Sequence, residues 1–447
     1  MSSQQTLKKV IKPVHLWAIG VGLVISGEYF GWNYGWGAAG TLGFLVSTLV
    51  ITLLYLTFIF SFTELTTSIP QAGGPFTYTH RAMGPVGGLI AGYATAVEFL
   101  LATPAIAAAL GNYLHFLHPS LPVLGCGIVF YILLTGINLL GIKESALFSL
   151  IITLLAVVEL LIYMGIIAPS FKMSNFTYNA MPAGWYGVFA GLPFAIWLYV
   201  CIEGIAMVAE EVKDPSRNIP KGYISAMLTL TLLAIGVMVL TGGITDWQQL
   251  SAIDYPLPEA IGIVLGKQNG ITKVFAGIGL FGLIASFNGI IISYSRQLFA
   301  LARSGYLPPF LAEVSPKRQV PYWALIVGGL LGIVALFLGK TDQLVILSVM
   351  GAVVMYIFSM ISLFILRRKE PELERPYKAP FYPWFPGIAL VLSVLSLFAM
   401  IWYNPLLSLL FFAGMGLALI IFFAQGKHRS ATVDMPVAVP DTTFIKE

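Results

Sequence analysis

Ile25-Ser26-Gly27-Glu28-Tyr29-Phe30-Gly31-Trp32-Asn33-Tyr34-Gly35-Trp36 sets small residues and a carboxylate inside the first long apolar run of the chain. In hydrocarbon every freed backbone N–H and C=O needs a partner, so a helix interrupted at that depth is tolerated where it lines a cavity. The irregularity returns at Trp197-Leu198-Tyr199-Val200-Cys201-Ile202-Glu203-Gly204, where a Glu-Gly pair falls in the middle of another apolar run. Breaks at matching places of two repeats point to a midplane site between discontinuous helices. A kink absorbed by neighbouring helices is the plainer alternative for either break alone.

The composition agrees with a membrane setting. Of 447 residues, 58% are hydrophobic and 10% charged, against roughly 25% charged in a soluble domain. Apolar runs near the roughly 20 residues that cross a bilayer fall at 14–38, 41–67, 86–114, 122–141, 147–168, 186–209, 222–243, 274–300, 322–339, 343–366, 386–403 and 405–424. This reading predicts twelve spans with both termini on one side. Lysine and arginine test it: 20 of 24 fall in the termini and the even-to-odd loops, and only Lys172, Lys267, Lys273 and Lys340 fall opposite. That asymmetry predicts a cytoplasmic location for both ends. The net charge of +4 then reflects topology and gives no reason to expect nucleic acid. No cleavable signal peptide is expected, because the first span lacks a small-residue cleavage site.

The expected organisation is a cytoplasmic N-terminus (1–13), one repeat of five spans (14–168), a second repeat of five (186–366), a final pair (386–424) and a cytoplasmic tail (425–447), whose end from Lys427 to Glu447 reads as disordered. Cys126 and Cys201 fall inside predicted spans, so no disulfide framework is expected. There is no His-Glu-x-x-His and no phosphate-binding glycine loop, and the five histidines are scattered near predicted membrane edges. Enzymatic activity, metal chemistry and cofactors are therefore not expected.

Four connectors carry further information: Phe62-Thr63-Glu64-Leu65 leading to Pro70-Gln71-Ala72-Gly73-Gly74-Pro75-Phe76-Thr77-Tyr78, then Gly141-Ile142-Lys143-Glu144-Ser145, Ala209-Glu210-Glu211-Val212-Lys213-Asp214-Pro215-Ser216-Arg217-Asn218-Ile219-Pro220, and Ala302-Arg303-Ser304-Gly305-Tyr306-Leu307-Pro308. Each reads locally as a turn-forming, charged connector. In that order they resemble the signatures of the amino acid-polyamine-organocation (APC) superfamily. The resemblance implies an all-α integral membrane transporter with a five-plus-five inverted repeat (LeuT-like) and broken helices 1 and 6. Within the superfamily, the Ser26 to Trp36 segment is similar to the bacterial ethanolamine permeases, which implies import of ethanolamine. Another small organic amine (choline, a polyamine) or an amino acid is the nearest rival substrate. A membrane-embedded ligand sensor is the rival of a different class, and the loops and tails look too short for a signalling domain.

Amino acid carriers of the superfamily hold the substrate carboxylate at the first break, which here corresponds to Ile25, Ser26, Gly27, Glu28 and Tyr29. A Glu28 carboxylate at the N-terminus of the second half-helix would occupy that place itself, repelling a substrate carboxylate and attracting a small cation. A helix-capping role is the alternative. Glu98 and Glu203 are further candidates to meet an ammonium group, Glu203 equally a support for the broken backbone, while Glu64 reads as structural. The resemblance makes Trp197, six residues before Glu203, an aromatic gate over bound substrate. Tyr29, Phe30, Trp32, Tyr199 and Phe287 are cation–π candidates, with packing the alternative for each. Cys201 lies in the second break, and Asn288 can bond a hydroxyl across the cavity. Some relatives place a proton-switching lysine in span five; the matching position is Ala156, so Glu159, one turn on, is the candidate for proton coupling, with a structural carboxyl as the alternative. Expected partners are thus a small cationic amine, the lipid bilayer and protons.

Overall fold

A computed structural model describes residues 9–267 and 269–426. The predicted disordered end from Lys427 to Glu447, the first eight residues and the side chains of Ile142 to Ser145 lie outside that description. The fold is all-helical. Among the described residues there is no strand, and Ile11 and Val212 form an isolated parallel bridge.

The first apolar run becomes α1 (Pro13–Val24), α2 (Ser26–Tyr29) and the opening turns of α3 (Tyr34–Ser68). Gly40, non-helical with φ of +71°, divides α3 into two helices, a short one that ends the first run and a long one that serves the second. Next come α4 (Pro75–Leu117), with a similar turn at Gly84, then α5 (Val123–Leu140), α6 (Ile142–Ile167) and the short α7 (Met173–Thr177). The second discontinuous stretch is α8 (Gly184–Trp197) followed by a 3-10 helix, Ile202–Glu211. After it come α9 (Pro215–Gly242), α10 (Pro256–Leu265), α11 (Gly270–Ile278), α12 (Leu280–Arg303), α13 (Tyr322–Leu338), α14 (Thr341–Lys369), α15 (Trp384–Tyr403) and α16 (Pro405–Ala424). Among the described residues ten helical stretches are long and apolar enough to cross a membrane. The broken first run and the 17-residue α13 fall short of that length alone.

Burial sorts the helices into two layers. α1 is buried from Leu16 to Val24 apart from Trp17, and it packs on α9, α6 and α12. The other inner elements are α3, α4, α8, α12 and α14. α5, α6, α13 and α16 turn leucine and isoleucine outward, among them Ile132, Leu161, Leu338 and Leu409. A face that apolar is stable only against lipid. Trp185, Tyr186, Trp384 and Trp402 are exposed near helix ends, as interfacial aromatics are. Among the described residues, five of the six ion pairs, Arg81–Glu370, Arg296–Glu211, Arg303–Glu210, Arg367–Glu64 and Arg375–Glu64, cluster at the end of the bundle that carries the termini. Glu64 is therefore structural: it binds Arg367 and Arg375 and accepts from the Ala379 amide.

Candidate functional site between two broken helices

The first break differs from the one read in the sequence. Ser26, Gly27 and Glu28 stay helical, with only a tight turn at Ile25, where Glu28 N–H bonds Ile25 O at 3.1 Å. The chain leaves the helix at Phe30, which is extended, and Gly31, at φ +88°. A positive φ favours glycine, and of the two glycines Gly31 is the one that supplies it. Gly27 serves close approach instead: a Cβ there would lie 2.5 Å from Trp197 O. Glu28 therefore lies in the four-residue α2, and the second half-helix begins only at Tyr34. This corrects the expectation that Glu28 stands at the N-terminus of that half-helix.

The turn at Ile25 is closed by a residue that the sequence reading passed over. Ser286 of α12 donates its hydroxyl to Leu23 O (2.8 Å) and accepts the Ser26 N–H (3.1 Å), joining both sides of the interruption. Asn288, two residues on and expected to bond a hydroxyl across the cavity, bonds the Ser149 hydroxyl on α6 and Asn138 on α5. Phe287 packs edge-on against Tyr131 of α5 at 4.6 Å. The structure brings neither residue to the breaks, because their side of α12 faces α5 and α6. The available signal was a hydroxyl in an apolar helix, which is too common to choose Ser286 over its neighbours.

The second break also precedes the Glu-Gly pair. The backbone leaves the helix over Leu198 to Cys201, Cys201 takes a left-handed φ of +74°, and Glu203 and Gly204 belong to the 3-10 helix. A non-glycine residue there is strained by about 1–3 kcal/mol, and ten residues of 3-10 helix is long for that form. Glu98 of α4 supports this backbone, accepting the Cys201 N–H at 3.2 Å. Glu203 accepts from Tyr356 of α14 at 3.2 Å, and its carbonyl accepts from Tyr223 of α9 at 3.3 Å.

The two breaks complete each other. Trp197, the last residue of α8, donates its indole N–H to Phe30 O at 3.0 Å and packs edge-on against the Phe30 ring at 5.5 Å. A Cβ at Gly31 would lie 2.4 Å from Trp197 Nε1, so Gly27 and Gly31 together make the seat for this tryptophan. Trp197→Phe keeps an aromatic ring, smaller than the indole, but leaves Phe30 O unpaired. The expected cost is on the order of 1 kcal/mol, read as a lower thermal midpoint with weaker substrate protection. An unchanged midpoint would show that the indole bond carries nothing.

Glu28 is wholly buried and neither of its carboxylate oxygens has a hydrogen-bond partner. Trp32 donates to the Glu28 carbonyl at 3.0 Å, leaving the carboxylate itself without a donor. Its aromatic neighbours are held elsewhere: Tyr199 OH pairs with Thr52 at 2.7 Å, and Tyr29 OH donates to Glu159 at 2.7 Å and to Ala156 O at 3.1 Å. Tyr113 OH in turn bonds Tyr29 O at 3.0 Å. A buried carboxylate lacking any donor is tolerated where a cation or a proton completes it.

The breaks are covered at both ends of the bundle. At the termini end Arg296 and Glu211 are almost wholly buried and pair at 3.0 Å, while the Val10 and Ile11 amides bond Glu211 O. At the opposite end Asp254 ties Tyr34, Asn112 (2.9 Å) and Thr341 (3.1 Å) together, and Asn33 Nδ2 bonds Leu250 O and Ile253 O at 2.7 and 2.8 Å. A side chain held between two discontinuous helices and closed off from both faces is the arrangement of a carrier. Residues 11–427 match the family model described as amino acid permease. The chain belongs to the amino acid permease family. This permease is 29% identical over 405 residues to an uncharacterized transporter of Rhizobium meliloti, covering 88% of this chain and 87% of that protein. It is 24% identical to the branched-chain amino acid permease BcaP of Bacillus subtilis (96% and 95% covered) and 25% identical to the methylthioribose transporter of the same organism (87% of each). It is a multi-pass membrane protein of the APC superfamily, with a LeuT-like helical fold.

Proposed function

We propose that this permease imports ethanolamine across the cytoplasmic membrane by alternating access, with both termini in the cytoplasm. One observation carries the reading: the Glu28 carboxylate, buried beside the junction of the two breaks, has two oxygens without donors. A primary ammonium supplies N–H donors and a compensating charge together. A substrate carboxylate directed to the same place meets like charge. Trp197, Tyr199 and Phe30 add aromatic surface suited to a small cation. Ile25, Ser26 and Gly27 supply the backbone around it, with Glu98, Cys201 and Glu203 shaping the far wall.

The name of the Bacillus subtilis branched-chain permease favours the rival reading, an amino acid whose α-ammonium meets Glu28. Flux of radiolabelled ethanolamine into liposomes containing only this protein, with choline, putrescine and leucine as competitors, decides between them. Saturable ethanolamine uptake that leucine leaves alone is the expected result. Leucine uptake without ethanolamine uptake would overturn it.

Glu159 is proposed to couple transport to protons, because the Tyr29 hydroxyl links it directly to the first break. Initial rates from about pH 5.5 to 8.5, where buried carboxyl groups commonly titrate, are expected to follow different profiles in wild type and Glu159→Gln. Superimposable profiles would remove Glu159 from the coupling step.

A further inference from the structure

Glu98 and Glu203 approach each other from α4 and the 3-10 helix, both with no exposed surface. One carboxylate oxygen of each, with Cys201 Sγ, lies within a 4.8 Å cluster. Glu98 Oε1 takes the Cys201 amide and Glu203 Oε2 takes the Tyr356 hydroxyl. Glu98 Oε2 and Glu203 Oε1 find no donor from any other group. Two carboxylate oxygens cannot hydrogen-bond one another unless a proton lies between them.

The surroundings offer no other compensation. The titratable groups facing the pair are the Cys201 thiol on the break, Tyr55 on α3, Tyr356 on α14 and Tyr223 on α9. From α14, Ser348 bonds the Glu98 carbonyl. Leu23 of α1 and Ser293 of α12 lie against Gly204, and neither is titratable. Among the described residues no lysine, arginine or histidine pairs with either carboxyl; the buried guanidinium of Arg296 is committed to Glu211. Two like charges this close in a medium of low dielectric are not both ionised.

We propose that Glu98 and Glu203 share a single proton, making a carboxyl–carboxylate latch that ties α4 to the second break, and that loss of this proton lets the break rearrange during transport. On release the proton passes to water and the O–H of one carboxyl is lost. Two carboxylates remain, and their repulsion separates Glu203 from Glu98. Rebinding restores the latch. This goes beyond the ethanolamine reading and does not depend on which substrate is carried.

Infrared spectroscopy of the purified full-length protein at neutral pH tests the latch without any transport. A carboxylic acid absorbs apart from a carboxylate, and glutamine keeps hydrogen-bonding capacity at either position. Glu98→Gln and Glu203→Gln are each expected to remove one carboxylic-acid equivalent from the wild-type spectrum, and the double variant that same one rather than two. Loss of two in the double variant would mean two separate protonated acids, and loss of none would mean that both are ionised; either result overturns the proposal. Should one single variant fail to fold, the other and the double variant still separate these cases. Substrate counterflow followed from neutral to alkaline pH gives a second reading: wild-type rates are expected to change at least about tenfold, the scale of one titrating proton, and those of either variant less than about twofold. A Glu159→Gln protein, carrying the other proposed titrating group, is expected to keep the wild-type alkaline limb. Its loss there, or its persistence in both latch variants, would place the proton elsewhere.

Discussion

Glu28→Gln is expected to weaken ethanolamine binding about 10- to 100-fold while the protein still folds. A charge-assisted hydrogen bond is worth roughly 1.5–3 kcal/mol, and each 1.4 kcal/mol is about tenfold in affinity. Glutamine matches the shape of glutamate but offers one carbonyl oxygen in place of two anionic ones. The folded protein has less to lose, because no internal donor is satisfied by this carboxylate. Equilibrium binding to the purified variant, with its thermal midpoint as the folding control, makes the comparison. Affinity equal to wild type would remove Glu28 from substrate recognition and with it the reason for preferring an amine over an amino acid.

Arg296→Leu is expected to destabilise the protein by about 3–5 kcal/mol, the penalty for leaving one member of a buried ion pair uncompensated. Arg296 and Glu211 are 1% and 0% exposed, so water cannot take the place of the missing guanidinium. Glu211 is also the residue whose carbonyl accepts the Val10 and Ile11 amides, so its displacement loosens the closure at the termini end as well. A double replacement, Arg296→Met with Glu211→Leu, is expected to recover most of the lost stability, since an apolar pair of similar volume avoids the burial of charge. Equal midpoints for the single variant and wild type would show that the pair is solvated during normal opening and contributes little to the closed state.

Much of the architecture was legible because bilayer thickness imposes a length and hydropathy on every span; the run read at 405–424 coincides with α16, Pro405–Ala424. That two helices break was legible from Gly and Glu inside apolar runs. Where they break was not, for a reason seen at Gly27 and Gly31. The same residue type serves two purposes, close approach to Trp197 at one and a positive φ at the other, and local sequence does not separate them. Cys201 went further, adopting a left-handed backbone that its residue type gives no reason to expect. Side-chain direction was the other missing quantity. Glu28, Trp197, Tyr199 and Glu203 lie along the breaks themselves, so proximity in sequence placed them. Ser286 and Asn288 differ in where they point only because α12 is wedged between α1 on one side and α5 and α6 on the other, which depends on packing across the whole bundle.

The bridge between Ile11 and Val212 has a mechanical consequence. Val10 and Ile11 donate to Glu211 O, and Lys213 N–H returns to Ile11 O at 3.0 Å. The strand-like lead into α1 and the exit from the 3-10 helix are thereby stitched into one lever, its two arms reaching from the membrane surface to the two breaks. Neither inner half-helix can swing alone without first tearing these backbone bonds. A load applied just before Val10, such as a fused protein or an immobilised tag, pulls on both arms together, so the amino terminus is a handle on the carrier's opening rather than a neutral place of attachment.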